Sequence, residues 1–149
     1  MNILKKVNKY VIIFLVFGIL YYLIEVAVNG HSNWSSFLMS GTAGILINFV
    51  SRFYHSYTPE WKQIIITTLI IISIEFTFGI ILKSFGIQFW DYSSNIMNIQ
   101  GVICLKYSFC WLLLSPFAIQ GSNLIEYACL HDKKPDKFII YMKKLVSGE

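Results

Sequence analysis

Charge is what this sequence has least of. Asp, Glu, Lys and Arg make up 13% of the 149 residues, against roughly 25% in an ordinary soluble domain. That share is too small to clothe a water-facing surface, so a soluble fold is disfavoured. The familiar chemical signatures are missing as well. There is no P-loop, no His-Glu-x-x-His, no Gly-x-Ser-x-Gly and no Gly-x-Gly-x-x-Gly, which excludes ATP hydrolysis by the P-loop route and several hydrolase and dinucleotide chemistries in this chain. The 3 cysteines, Cys104, Cys110 and Cys129, stand in no metal or redox spacing. Cys104 and Cys110 fall in an apolar segment, where cysteine acts as a small hydrophobe. No repeat and no low-complexity segment appears. Neither a metal nor a cofactor is called for, and no catalytic residue is assigned.

What is present is hydrophobic: 56% apolar and 17% aromatic residues. The apolar residues fall into four long runs, which predict an all-α membrane protein. Its membrane part is a four-transmembrane-helix bundle over 1–120, with spans at about 10–28, 36–53, 63–82 and 99–120. A cytoplasmic basic amphipathic tail occupies 121–149. In lipid every backbone polar group must bond within its own segment, which favours helix even in the isoleucine-rich third run. Strands are excluded because so few segments cannot close a barrel. The first run follows Lys5, Lys6 and Lys9, as a signal peptide would, but Tyr21, Tyr22 and Glu25 stand where a cleavage site wants small residues. It reads as an uncleaved span. Ser40, Gly41 and Gly44 are small residues at helical spacing, suited to close helix approach. Pro59 breaks a polar connection, Pro116 is expected to kink the fourth span or loosen its last turns, and Pro135 opens the amphipathic pattern Phe138, Ile139, Tyr141, Met142, Leu145.

The lysines are not spread evenly. With four spans, one side carries Lys5, Lys6, Lys9, Arg52, Lys62, Lys133, Lys134, Lys137, Lys143 and Lys144, and the other only Lys83. By the positive-inside rule both termini are cytoplasmic. A net charge of +4 gathered in this way suits a membrane surface, and nucleic acid is not an expected partner.

The same topology gives the intramembrane charges a depth. At about 1.5 Å per residue, Glu25, Glu75 and Lys106 fall within about 5–11 Å of the outer interface. Ionisable groups in a span face the bundle interior and find partners. A Glu75–Lys106 ion pair is therefore expected, with Glu25 near His31 and the Trp90–Asp91 loop. Trp34 is expected at headgroup level. Asn48 is expected to bond between helices, and His55 and His131 to be solvated loop residues.

Two sets of residues carry a resemblance. Tyr21-Tyr22-Leu23-Ile24-Glu25 with Gly30-His31-Ser32-Asn33-Trp34-Ser35 is the first. Glu75, Gly79, Trp90-Asp91-Tyr92-Ser93, Asn98, Gly101, Cys104 and Trp111 form the second. Over about residues 18–120 the chain resembles the ABC-transporter type IV permease family (CmpB) of small bacterial membrane proteins. Lys106 departs from the pattern, standing where a neutral residue is expected. The resemblance implies a multi-pass plasma-membrane subunit of a transporter, working with a separate ATPase subunit as a homo-oligomer or heteromeric complex. In that reading Glu25, Glu75 and Lys106 line an outward-facing substrate pocket, and His31, Trp34, Trp90 and Asp91 form its lid. Two alternatives use the same residues: an envelope enzyme acting on a lipid headgroup, and an accessory or regulatory protein in which the charges serve assembly.

Overall fold

A computed structural model describes residues 3–54, 59–130 and 134–148. The two loop histidines, His55 and His131, and Lys133 lie outside the described residues. The described residues are all-helical, with five helices in the order α1 (Ile3–Asn29), α2 (Trp34–Tyr54), α3 (Glu60–Ser84), α4 (Leu105–Leu130) and α5 (Phe138–Ser147). The described residues contain no strand, only an isolated bridge between Ile99 and Ile103.

Helices α1, α3 and α4 are long and apolar enough to cross a membrane; α2 is not. The expected count of four spans is thus met by three on apolarity alone. The reason is physical. Helix α2 carries Ser35, Ser36, Asn48 and Ser51, all buried, and it touches α1, α3 and α4. Its polar atoms face other helices, so it has less need of apolarity than its neighbours. By contrast α1 leaves Val11, Leu15, Ile19 and Leu23 exposed, which is the outward face expected of a helix solvated by lipid.

Packing between α1 and α2 is close because of glycine. A Cβ added to Gly44 would lie 2.5 Å from the Phe17 ring, and one on Gly41 would lie 2.7 Å from Phe14. Both glycines admit an α1 phenylalanine against the α2 backbone, as small-residue spacing predicts. Deeper in the bundle, the hydroxyls of Thr68 on α3 and Ser115 on α4 are 2.9 Å apart.

The fourth helix starts later than expected. Residues 99–104 belong to a turn-rich loop, and α4 starts at Leu105. Pro116 does not end it: the helix continues to Leu130, because losing one backbone donor costs little once three helices pack around the segment. The tail forms α5, an amphipathic helix with Tyr141 buried. Phe138 stacks on Phe117 of α4, with ring centroids 4.9 Å apart.

Candidate functional site

The helices alternate in direction, so the bundle has two ends. One holds the 30–33 turn and the 85–104 loop; the other holds the chain termini. Glu75 stands near the loop end of α3 and is 3% exposed. A carboxylate in so dry a place must find donors, and it finds two. Trp111 Nε1 of α4 donates to Oε2 at 2.8 Å, and the Tyr92 hydroxyl donates to Oε1 at 3.3 Å. Tyr107 stacks on Tyr92 with centroids 4.4 Å apart, and Tyr21 of α1 lies 5.2 Å from Trp111. Burial pushes the Tyr92 hydroxyl far above its ordinary pKa, and the charge of Glu75 pushes the same way. Tyr92 therefore keeps its proton and stays a donor.

The loop that delivers Tyr92 is held by its own motif residues. Trp90 Nε1 donates to the Val102 carbonyl at 2.9 Å. The Tyr92 amide donates to the Gly101 carbonyl at 2.8 Å. Asn98 Nδ2 donates to the Ser93 and Asn95 carbonyls at 3.0 and 2.9 Å, and its Oδ1 accepts from the Gly101 amide at 3.2 Å. Asp91 accepts from the Ser93 amide at 2.9 Å. That backbone hydrogen bond, with Lys83 nearby, holds the Asp91 carboxyl below its ordinary range. The loop is seated on α3 at Gly79, where an added Cβ would stand 2.1 Å from Val102 and 3.1 Å from the Trp90 ring. Most of the sequence signature is thus the scaffold of one loop, and its product is the position of Tyr92.

The expected Glu75–Lys106 ion pair is absent. Because α4 begins at Leu105, Lys106 sits in its first turn, exposed, with its amino group 5.4 Å from the Tyr107 ring centre. Misplacing the helix start by six residues had put this lysine two turns too deep. Neutral N–H and O–H donors serve Glu75 instead. Glu25 and His31 also do not pair. The Glu25 carboxylate accepts from the Ser32 hydroxyl, while His31 Nδ1 faces the Asn29 carbonyl at 3.1 Å. Trp34 packs edge-on against Phe89 of the loop, 5.7 Å between centroids. Of the residues singled out from sequence, Glu75 sits beneath the Trp90–Asp91 loop, Glu25 and His31 sit at the 30–33 turn, and Trp34 joins the two.

A second polar cluster was missed. At the terminus end, Lys9 of α1 is 1% exposed and Glu126 of α4 is 7% exposed. Lys9 Nζ and Arg52 Nη1 both reach Glu126 Oε1, at 3.1 and 3.2 Å. Asn48 Nδ2 donates to Glu126 Oε2 at 3.1 Å and to Ser122 Oγ at 3.0 Å, so Asn48 does bond between helices as expected. Ser51 donates to Asn123 at 2.6 Å. The missed signal was spacing: Ser122 and Glu126 are four apart on α4, and Asn48 and Arg52 four apart on α2, so each pair shares a face. Counting Lys9 and Arg52 only as topology charges hid it.

Between the clusters lies a cavity of about 360 Å³. It is lined by α1, α2, α3 and α4 residues that are nearly all apolar, among them Phe17, Ile47, Ile74 and Ala118. The described residues hold no group of His, Cys, Asp or Glu that could bind a metal ion, and all three cysteines are free.

Apolar helices around buried polar clusters define an all-helical membrane protein. The family model described as "Putative ABC-transporter type IV" (CmpB) matches residues 2–145, and the chain belongs to that family. No solved structure matches it.

Proposed function

We propose that this chain is the membrane-spanning subunit of an ABC-type transporter, driven by a separate ATPase and working as an oligomer or in a heteromeric complex. Four helices cross a bacterial plasma membrane in this reading, α2 among them because its neighbours shield its polar face. Both termini are cytoplasmic, where Lys62, Lys134, Lys137, Lys143 and Lys144 join Lys9 and Arg52. Residues 1–120 form the membrane domain. The tail, 121–149, begins in the last turns of α4 and lays α5 on the cytoplasmic surface. The substrate pocket lies in the outer half of the bilayer, with Glu75 at its base and the Trp90–Asp91 loop, Trp34, Glu25 and His31 around its mouth. Lys106 stands at the rim, exposed in the first turn of α4.

One observation carries this reading: Glu75 is a buried carboxylate within an apolar helix and takes its hydrogen bonds from neutral groups only. A carboxylate whose charge is left uncompensated is a costly way to join helices, and it is ready to meet a cation or a donor on a substrate. The test is Glu75→Gln in the full chain, co-purified with its ATPase and reconstituted in liposomes. The amide keeps the size of the side chain and an acceptor for Trp111. The variant should insert at normal abundance while substrate-stimulated ATPase turnover falls by about tenfold or more, a change of roughly 1.4 kcal/mol or more in barrier. Normal turnover would remove Glu75 from the pocket. Loss of the protein itself would assign the residue to assembly.

A further inference from the structure

Helices α1 and α4 touch at two heights and part between them. At one height the Tyr21 and Trp111 rings meet, 5.2 Å between centroids. At the other Lys9 is bonded to Glu126 at 3.1 Å. The 360 Å³ cavity occupies the interval. Leu20, Leu114, Phe117 and Leu124 line it and are also exposed on the outside of the bundle. It is therefore a crevice open sideways, toward the space lipid fills around an apolar helix. It runs along α4 to Ile125, one residue short of Glu126. On α1 it runs to Val16, about two turns from Lys9.

We infer that this crevice holds one acyl chain of an anionic phospholipid from the leaflet on the terminus side, with the lipid phosphate on Arg52. The crevice itself cannot select. A chain leaving the bilayer for an apolar groove exchanges one apolar medium for another, so no hydrophobic force draws it in. Selection must come from the headgroup. Lys9, Arg52 and Glu126 sum to one net positive charge, since both cations share a single carboxylate oxygen. Lys9 is enclosed, but the Arg52 side chain is 48% exposed. A guanidinium carries five N–H donors, and Glu126 takes one of them in this structure. The remaining fork is suited to a phosphate. Of the other carboxylates at this end of the bundle, Asp136 is bonded to Lys144 at 2.6 Å, and Glu60 stands at the start of α3. The occupant thus crosslinks α1, α2 and α4 along a seam the protein leaves open.

The test needs no transport assay and does not involve Glu75, so its failure and that of the transporter reading are separable. The full chain is reconstituted in nanodiscs containing equal phosphatidylglycerol and phosphatidylcholine, then moved to detergent, and retained lipid is counted by native mass spectrometry. One phosphatidylglycerol should stay per chain, preferred over phosphatidylcholine by about fivefold, because the choline ammonium offsets the phosphate charge that phosphatidylglycerol presents whole to the net positive cluster. Arg52→Gln should bring that preference close to one. Gly121→Leu fills the crevice where a side chain has open space, and it should abolish retention of both lipids while keeping the protein monodisperse. Retention unchanged in Gly121→Leu would overturn the proposal, as would wild-type retention without headgroup preference. Crosslinking between copies through Leu114→Cys would also overturn it, by seating a second copy in the seam.

Discussion

Glu75 and Glu126 are buried to similar extents, 3% and 7% exposed, at opposite ends of one helix bundle. Their surroundings differ in kind. Glu126 is met by Lys9, Arg52 and the Asn48 amide. Glu75 is met by an indole and a phenol. At the terminus end the carboxylate is neutralised by partners from α1 and α2, so the cluster ties α1, α2 and α4 together. At the loop end no cation meets the carboxyl, and its donors come from α4 and from a loop that is itself tightly bonded. An ion pair of the first kind has nothing left to offer a ligand except through its exposed arginine. A carboxyl of the second kind has no counter-charge of its own.

The largest way to break this contrast is to remove Glu126. Glu126→Leu leaves Lys9 enclosed with no anion, and breaking a buried pair from one side costs about 3–5 kcal/mol. The variant should be scarce in the membrane and should unfold in detergent well below the wild-type temperature. Adding Lys9→Met should recover most of that loss, because matched apolar groups can replace a buried pair at little cost. Failure of the second change to rescue would mean Glu126 acts mainly through Arg52 and Asn48. A smaller effect is expected at the other end. Trp111→Phe deletes the 2.8 Å donor to Glu75 and should lower stability by about 1–3 kcal/mol, the cost of leaving a buried acceptor short. Thermal unfolding followed in the same detergent gives both values. If Trp111→Phe proved the more damaging, the neutral cluster would be the true tie between helices.

How much of this was legible beforehand follows the same division. Hydropathy marks α1, α3 and α4 because each meets lipid along its length. It marks α2 less well because Asn48, Ser51 and Arg52 answer to other helices, and a single chain's sequence does not say who the partners are. Glu75 was legible, since a carboxylate in an isoleucine-rich helix has no surface to reach. Its partners were not. Opposite charge suggested Lys106, but that choice depended on where α4 starts, and the Ile99–Ile103 turn delays the start to Leu105. Trp111 and Tyr92 stood in the family signature, yet as apolar-looking aromatics they drew no attention as donors. The Lys9–Glu126 pair spans 117 positions, and Glu126 falls in the stretch assigned to the cytoplasmic tail. Long-range pairing of this sort comes from the packing of whole helices, which local pattern does not encode.

The finest distinction between the two ends is their response to acid, and Asp91 contributes to it at the loop. Its carboxylate accepts the Ser93 amide at 2.9 Å and shapes the turn from which Tyr92 reaches Glu75. The folded protein holds the Asp91 pKa below its ordinary value, mainly through that amide hydrogen bond. A depressed folded pKa means the ionised form is preferred in the folded loop, so the contribution is fully present above the ordinary carboxylate range. It fades as pH falls through the lower folded value. The group is exposed, so the effect is local and small. Fluorine NMR of fluorotryptophan-labelled protein, read at the Trp90 resonance, should show a transition below the ordinary carboxylate range. Asp91→Asn should flatten that transition, since an amide does not titrate there. A transition that persists in Asp91→Asn would move the acid response to another group of the loop end, with Glu75 the next to be replaced.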